Sequence, residues 1–271
     1  MAINNKVCPP EQAVPALTDW FDSPQGQAVL KSQRSDIDQA LACLFGYHLC
    51  QISVCRHLNL SASSRIPHTF ALNPQAHASA SAAAQGEQGA CDLRRLPLAP
   101  ESVDVFVLHH ALDFSQTPHQ LLAEAARATI ARGHIVIVGF NPWSLVGGWH
   151  IAKRLTSRQP LWRHQHLRLG RLFDWFALLD LEPVEVRRGH YWPFAREASG
   201  RLERGMRSIN APWGSYYMVT VRKDVPGVLP VKPRWKTMDI AALGGVSGKV
   251  SGRSMRRSTN PEKREARCEA D

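Results

Sequence analysis

Cys91-Asp92-Leu93-Arg94-Arg95-Leu96-Pro97-Leu98 leads into Ser102-Val103-Asp104-Val105-Phe106-Val107-Leu108-His109-His110 and, after one amphipathic segment, into Gly133-His134-Ile135-Val136-Ile137-Val138-Gly139-Phe140-Asn141-Pro142-Trp143. Two short runs rich in β-branched apolar residues flank a segment of helical periodicity, which is the pattern of a βαβ unit whose parallel strands are buried on both faces. The first run ends in two histidines and the second in Asn-Pro-Trp. Open parallel sheets bind ligands at the carboxyl ends of their strands. Both polar clusters are therefore expected on the functional edge.

Working outward from this unit, residues 1–24 are Pro-rich, with an apolar patch at Leu17, Trp20 and Phe21, and read as a loosely structured arm that docks through those side chains. Leu30, Ile37, Leu41 and Leu44 recur at helical spacing and predict a helix over about 25–44, stopped by Gly46. Residues 47–53 predict the first strand, 69–72 the second and 91–93 a brief third, with 75–90 a low-complexity connection. Residues 103–108 predict strand four. Thr117-Pro118 predicts a capped helix start, with the helix running to Gly133, and residues 134–140 predict strand five. Leu169, Leu172, Phe173, Phe176 and Leu179 mark a further helix, followed by strands at 183–188 and 215–222. Beyond residue 224 the composition turns to Gly, Ser, Lys and Arg and reads as a disordered basic tail. The domain organisation expected is an arm (1–24), one α/β domain (25–223) and the tail (224–271). Strands alternating with helices predict a doubly wound, seven-stranded, mostly parallel sheet.

A chain of 271 residues with 44% apolar content can build a sizeable core. Its net charge of +10 is compatible with an anionic partner, nucleic acid included, or simply with solubility. Six scattered cysteines without a preceding apolar leader read as reduced thiols of a cytoplasmic protein. No apolar run is long enough to span a membrane.

Asp92, Leu96-Pro97-Leu98, Ser102-Val103-Asp104, Glu124-Ala125-Ala126-Arg127 and Gly133-His134 together resemble the class I S-adenosylmethionine-dependent methyltransferases, in particular the type 11 methyltransferase domain. Asn141-Pro142-Trp143-Ser144 is similar to a small bacterial branch of that family. The resemblance covers roughly residues 40–222. It implies a Rossmann-like class I methyltransferase fold, S-adenosylmethionine as cofactor, and transfer of its methyl group to an acceptor, small molecule or macromolecule.

The same resemblance assigns candidate residues. Its first motif, Val-Leu-Asp-Leu-Gly-x-Gly-x-Gly, aligns with Leu49 to His57, so that Gln51 stands for the acidic residue and Ser53, Cys55 and His57 stand for the glycines. The glycines let backbone approach the cofactor and permit positive φ. Asn73 or a neighbour stands where a carboxylate normally holds the ribose. Losing a charge-assisted acceptor costs about 1.5–3 kcal/mol, which predicts weakened cofactor binding. Asp92, followed by Leu93, is placed to accept the adenine amino group, with a solvated loop carboxylate as the alternative. His109 and His110 would face the transferred methyl, either as a base or as pocket wall. Asn141 and Trp143 would form a substrate-side loop or a packing corner. Asp104 reads as structural. His48, Cys50, Cys55 and His57 have zinc-ligand chemistry, but the degenerate cofactor motif already accounts for that segment and no metal is assigned. The basic segment 154–171 and the tail suit an anionic acceptor or RNA. A non-catalytic member of the fold acting as a binding or scaffold module is the alternative function.

Overall fold

The computed structural model describes residues 10–55, 58–73, 87–144, 167–191 and 201–224. Helices α1 (Pro10–Asp22) and α2 (Pro24–Ala42) precede strands β1 (His48–Ser53), β2 (His68–Asn73), β3 (Glu87–Ala90) and β4 (Val103–His109). Helices α3 (Ala111–Phe114) and α4 (Pro118–Ala128), strand β5 (Thr129–Phe140), helix α5 (Leu169–Leu178), strand β6 (Leu181–Gly189), helix α6 (Arg201–Ser208) and strand β7 (Tyr216–Lys223) follow. The seven strands form one sheet in the order β3-β2-β1-β4-β5-β7-β6. Strands β1 to β5 pair in parallel, and β7 runs antiparallel between β5 and β6. The chain winds outward to β2 and β3 on one side of β1 and to β5 on the other side of β4. The topological switch point therefore lies between β1 and β4.

Two apolar layers close the sheet. One packs Leu17 and Phe21 of α1 and Leu30, Ile37 and Leu41 of α2 against Leu49, Val105, Val107, Val136 and Val138. The other packs Leu121, Leu122 and Ala125 of α4 and Leu172 and Phe176 of α5 against Ile52, Phe106, Leu108, Ile135 and Ile137. Alternate residues of each central strand supply the two layers, as the pleat requires.

Several expectations are corrected. The loosely structured arm is a helix over residues 10–22, because Leu17 and Phe21 fall four apart and bury completely. Helix α2 starts one residue earlier than predicted, at Pro24, with the Ser23 side chain accepting from Gly26 N at 3.1 Å, and ends at Ala42. Gly26 allows α1 and α2 to touch, since a Cβ there would sit 2.1 Å from Trp20 O. Strand β3 is at 87–90, inside the segment taken for a connection, and 91–93 is a turn closed by Arg95 N donating to Asp92 O at 3.0 Å. Helix α4 ends at Ala128 rather than at Gly133: the Thr129 hydroxyl donates to Ala125 O at 2.6 Å, and the chain enters β5 through a bulge in which Arg132 takes φ 63°. Thr117 occupies the N-cap of α4 but its side chain makes no capping bond.

The separated pieces of the family pattern meet in space. Arg127 donates to both Glu124 oxygens at 2.9 Å and to Leu98 O at 3.0 Å, while Glu124 accepts from Leu96 N at 3.1 Å. The Glu-x-x-Arg of α4 thus pins the Leu-Pro turn that carries Asp92 toward β4. Asp104, read as structural, accepts from Tyr47 N and His48 N at 3.1 and 2.9 Å and fixes the entry to β1. No helix among the described residues is long and apolar enough to cross a membrane. Most of the basic segment 154–171, and the tail beyond Asp224, lie outside the described residues.

Candidate cofactor and active site

Strands β1 and β4 pair in register at their carboxyl ends, Ser53 opposite His109. Ser53 Oγ accepts from Cys55 N at 3.2 Å, so its hydrogen is free to donate to His109 Nδ1 at 3.1 Å. His109 must then carry its proton on Nε2, which donates to Gln33 Oε1 at 3.1 Å. The Gln33 amide nitrogen donates to His110 Nε2 at 3.0 Å, leaving the His110 proton on Nδ1, which donates to Asp113 Oδ2 at 2.9 Å. The same Asp113 oxygen accepts from Phe140 N at 2.9 Å. The carboxyl ends of β1, β4 and β5 and helices α2 and α3 are thereby tied by one directed array.

All of these side chains are buried, the two imidazoles completely. The Phe21 ring lies 5.7 Å from each imidazole, and Phe140 stacks on His110 at 4.0 Å. Burial pushes His110 down to about 3. Burial, then the neighbouring His110 and Arg34, hold His109 well below the ordinary imidazole value. Both rings are neutral at physiological pH, and both ring lone pairs are occupied. His110 sits in the left-handed region at φ 53° and ψ 8°.

Of the residues that replace the motif glycines, Ser53 and Cys55 turn inward, and His57 lies outside the described residues. Ser53 faces His109, and Cys55 is buried, with burial pushing its thiol up to about 12 against a hydrogen bond from Thr18. Among the described non-glycine residues, left-handed backbone occurs at Glu101, His110, Arg132, Asp180, His190 and Asn210. Ser53, Val54 and Cys55 are not among them, so residues 53–55 have no need of glycine for their φ angles. Gln51 donates its amide to Leu58 O and accepts from Leu60 N at 2.8 Å, which anchors the segment after the loop.

At the other rim, Asn73 ends β2 and its carbonyl accepts from Cys91 N at 3.0 Å. Asp92 follows, exposed, accepting from Arg94 N and Nε at 2.9 and 3.2 Å; these bonds hold its carboxyl below the usual range. Leu93 is buried beneath it. At the end of β5, Asn141 donates to Pro212 O and Gly214 O at 2.7 and 2.8 Å and accepts from Trp143 N at 3.1 Å. Its amide is spent on backbone, which is the packing-corner geometry. Trp143 stands 66% exposed, with the Arg168 guanidinium 5.2 Å above its ring. His48 opens β1 and Cys55 lies beyond its other end, so a strand roughly 16 Å long separates two of the residues with zinc-ligand chemistry.

Residues 54–137 match the model of the methyltransferase domain. The chain is 31% identical over 214 residues to the uncharacterized protein YafS of Escherichia coli, a match covering 78% of this chain and 83% of that one. The chain belongs to the class I S-adenosylmethionine-dependent methyltransferase family. An S-adenosylmethionine-dependent methyltransferase structure from Thermotoga maritima superposes with a TM-score of 0.59 at 17% identity, covering 79% of this chain and 97% of that one. A Haloferax volcanii methyltransferase, solved with its Trm112 activator, superposes with a TM-score of 0.53 at 14% identity, covering 77% and 98%. At such identities these two structures speak for the fold.

The residues of this methyltransferase fit the family's cofactor. The Ser53 and Cys55 side chains point into the protein rather than out over the loop, and a charged, exposed carboxylate stands after β3. Sequence reasoning missed Gln33. Its signal was present: Gln33 lies on the stripe Leu30, Ile37, Leu41, a polar residue in an apolar row, and such a residue when buried must be hydrogen-bonded.

Proposed function

We propose that this protein transfers the methyl group of S-adenosylmethionine to an acceptor bound above the carboxyl ends of β4 and β5. The observation that carries the reading is the switch point between β1 and β4, where the Ser53–His109 pair lies at the position in which open α/β sheets bind ligands. Ser53 to Cys55 would support the methionine part with backbone, Asn73 the ribose, and Asp92 with Leu93 the adenine. When bound, the cofactor supplies a methyl on a positively charged sulfur, which a nucleophile displaces in line. The chain's own task is then alignment. His109 and His110, completely buried, form a neutral, fixed layer that holds the end of β4 from within, and Gln51 and Asn141 hold the loops on either side through their bonds to backbone. Trp143 offers an exposed apolar surface for the acceptor, and Arg168 beside it suits an acceptor with anionic character.

The reading is tested by calorimetric titration of the full chain with S-adenosylmethionine and with S-adenosylhomocysteine. Saturable binding of either is expected, weaker for Asp92→Ala. No heat with either ligand up to millimolar concentration would refute it.

A further inference from the structure

We propose that Gln33 is a positioning residue of this site, which sets the two histidines in opposite tautomers and through them locks the cofactor loop; the functional half of this statement rests on the methyltransferase reading above. An amide offers an acceptor and a donor side by side without titrating. Gln33 uses both, accepting from His109 Nε2 and donating to His110 Nε2 at 3.1 and 3.0 Å. The consequence is directional. His109 is left with a bare Nδ1 that takes the Ser53 hydroxyl hydrogen, and this leaves Ser53 Oγ oriented to accept from Cys55 N. The turn 53–55 that the family builds with glycines is here held by a side-chain bond whose polarity is relayed from Gln33 in α2. On the other arm, His110 is left with a proton on Nδ1 for Asp113, and Asp113 holds the amide of Phe140, the residue before Asn141. Gln33 thus orders the cofactor-side and acceptor-side strand ends from one buried point.

The charged and titratable groups around the pair are Asp113 on α3, Arg34 on α2 and, beyond Cys55, Asp22 on α1. Asp113 bonds the pair directly, through His110. Reversal of the Gln33 amide together with both tautomers would set a bare His110 Nδ1 against the Asp113 oxygen that already accepts from Phe140 N, so Asp113 selects the polarity and Gln33 relays it to His109.

The test is ¹⁵N-edited imidazole spectroscopy of the full chain at pH 7.5, with His109→Gln and His110→Gln spectra assigning the two rings. The expected result is two neutral rings of opposite tautomer, His109 protonated at Nε2 and His110 at Nδ1. Gln33→Leu removes both groups at similar volume, so His109 loses the acceptor for its Nε2 proton and is expected to shift toward the Nδ1 tautomer, donating to Ser53. The affinity for S-adenosylhomocysteine should fall about tenfold with it. Two rings of the same tautomer in the parent protein, a cationic ring there, or an unchanged His109 tautomer in Gln33→Leu would each overturn the assignment. The parent spectrum decides the tautomers even where the variant fails to fold. Opposite tautomers in a protein that binds no cofactor analogue would refute the methyltransferase reading and keep Gln33 as the organiser of the array.

Discussion

Acidification should destabilise this protein in a window where carboxylates play little part. His109 and His110 are fully buried, and burial holds both below the ordinary imidazole value, His110 at about 3. A group with a depressed folded pKa binds fewer protons folded than unfolded, so stability falls as pH drops through the unfolded value of about 6.5. For His110 the loss between pH 7.5 and pH 5 is about 2 kcal/mol, and His109 adds to it in the same direction. That is a large part of the roughly 5–15 kcal/mol that holds a domain together. Asp92 and Glu124, whose values are lowered by their Arg94 and Arg127 bonds, lose their contributions only below this window. His134 and His190 are also lowered by burial and push in the same direction. The measurement is urea unfolding followed by tryptophan fluorescence at constant ionic strength from pH 7.5 to 5. His110→Asn should flatten the profile by about 2 kcal/mol, since Asn tolerates the left-handed backbone at this position. A stability that changes by less than about 1 kcal/mol across the window, or a His110→Asn profile parallel to the parent, would refute the buried neutral pair.

Arg207→Leu should cost about 3–5 kcal/mol in thermal or urea unfolding, because it strands the buried Asp36 carboxylate that Arg207 holds at 2.9 and 3.1 Å. Arg222→Ala, which breaks only an exposed pair with Glu182, should cost less than about 1 kcal/mol in the same assay. Gly139→Ala should destabilise by about 1–3 kcal/mol, since the new methyl would stand 2.6 Å from the hydroxyl of the buried Tyr217. Asn141→Ala should cost about 1–3 kcal/mol by leaving the Pro212 and Gly214 carbonyls without their donor. Iodoacetamide labelling with peptide mapping should modify Cys43 in the native protein and spare Cys50 and Cys55 until urea is added; native labelling of Cys55 as fast as Cys43 would contradict its burial.

Periodicity made the sheet legible, because buried parallel strands such as Val103–His109 and Ile135–Phe140 write themselves as apolar runs. It failed where the local signal was borrowed from a tertiary partner. Strand β3, Glu87-Gln88-Gly89-Ala90, has no strand composition and is ordered by pairing with Phe70 to Asn73. The segment Thr129 to Gly133 continued an apparent helix in sequence, and only its bulged pairing with β4 shows where β5 begins. Helix α1 was hidden by its prolines, although Leu17 and Phe21 already marked its buried face.

The candidate site was legible at its rim and illegible at its centre, for one physical reason. Rim residues such as Asp92 and Asn141 follow strand ends and can be placed by counting. Central ones depend on which helix covers the strand ends. In the described residues between β1 and β2, 58–67, no helix forms, and α1 and α2 cover that face from the amino-terminal side. The loop therefore meets Thr18 of α1 through Cys55 and is linked to Gln33 of α2 through His109. A glycine loop needs free backbone because a ligand is its only partner; a loop packed under α1 and α2 can take its shape from side chains. Ser53 and Cys55 in place of glycines then mark a change in what holds residues 53–55: the Ser53 bonds to His109 and Cys55 N and the packing of Cys55 against Thr18.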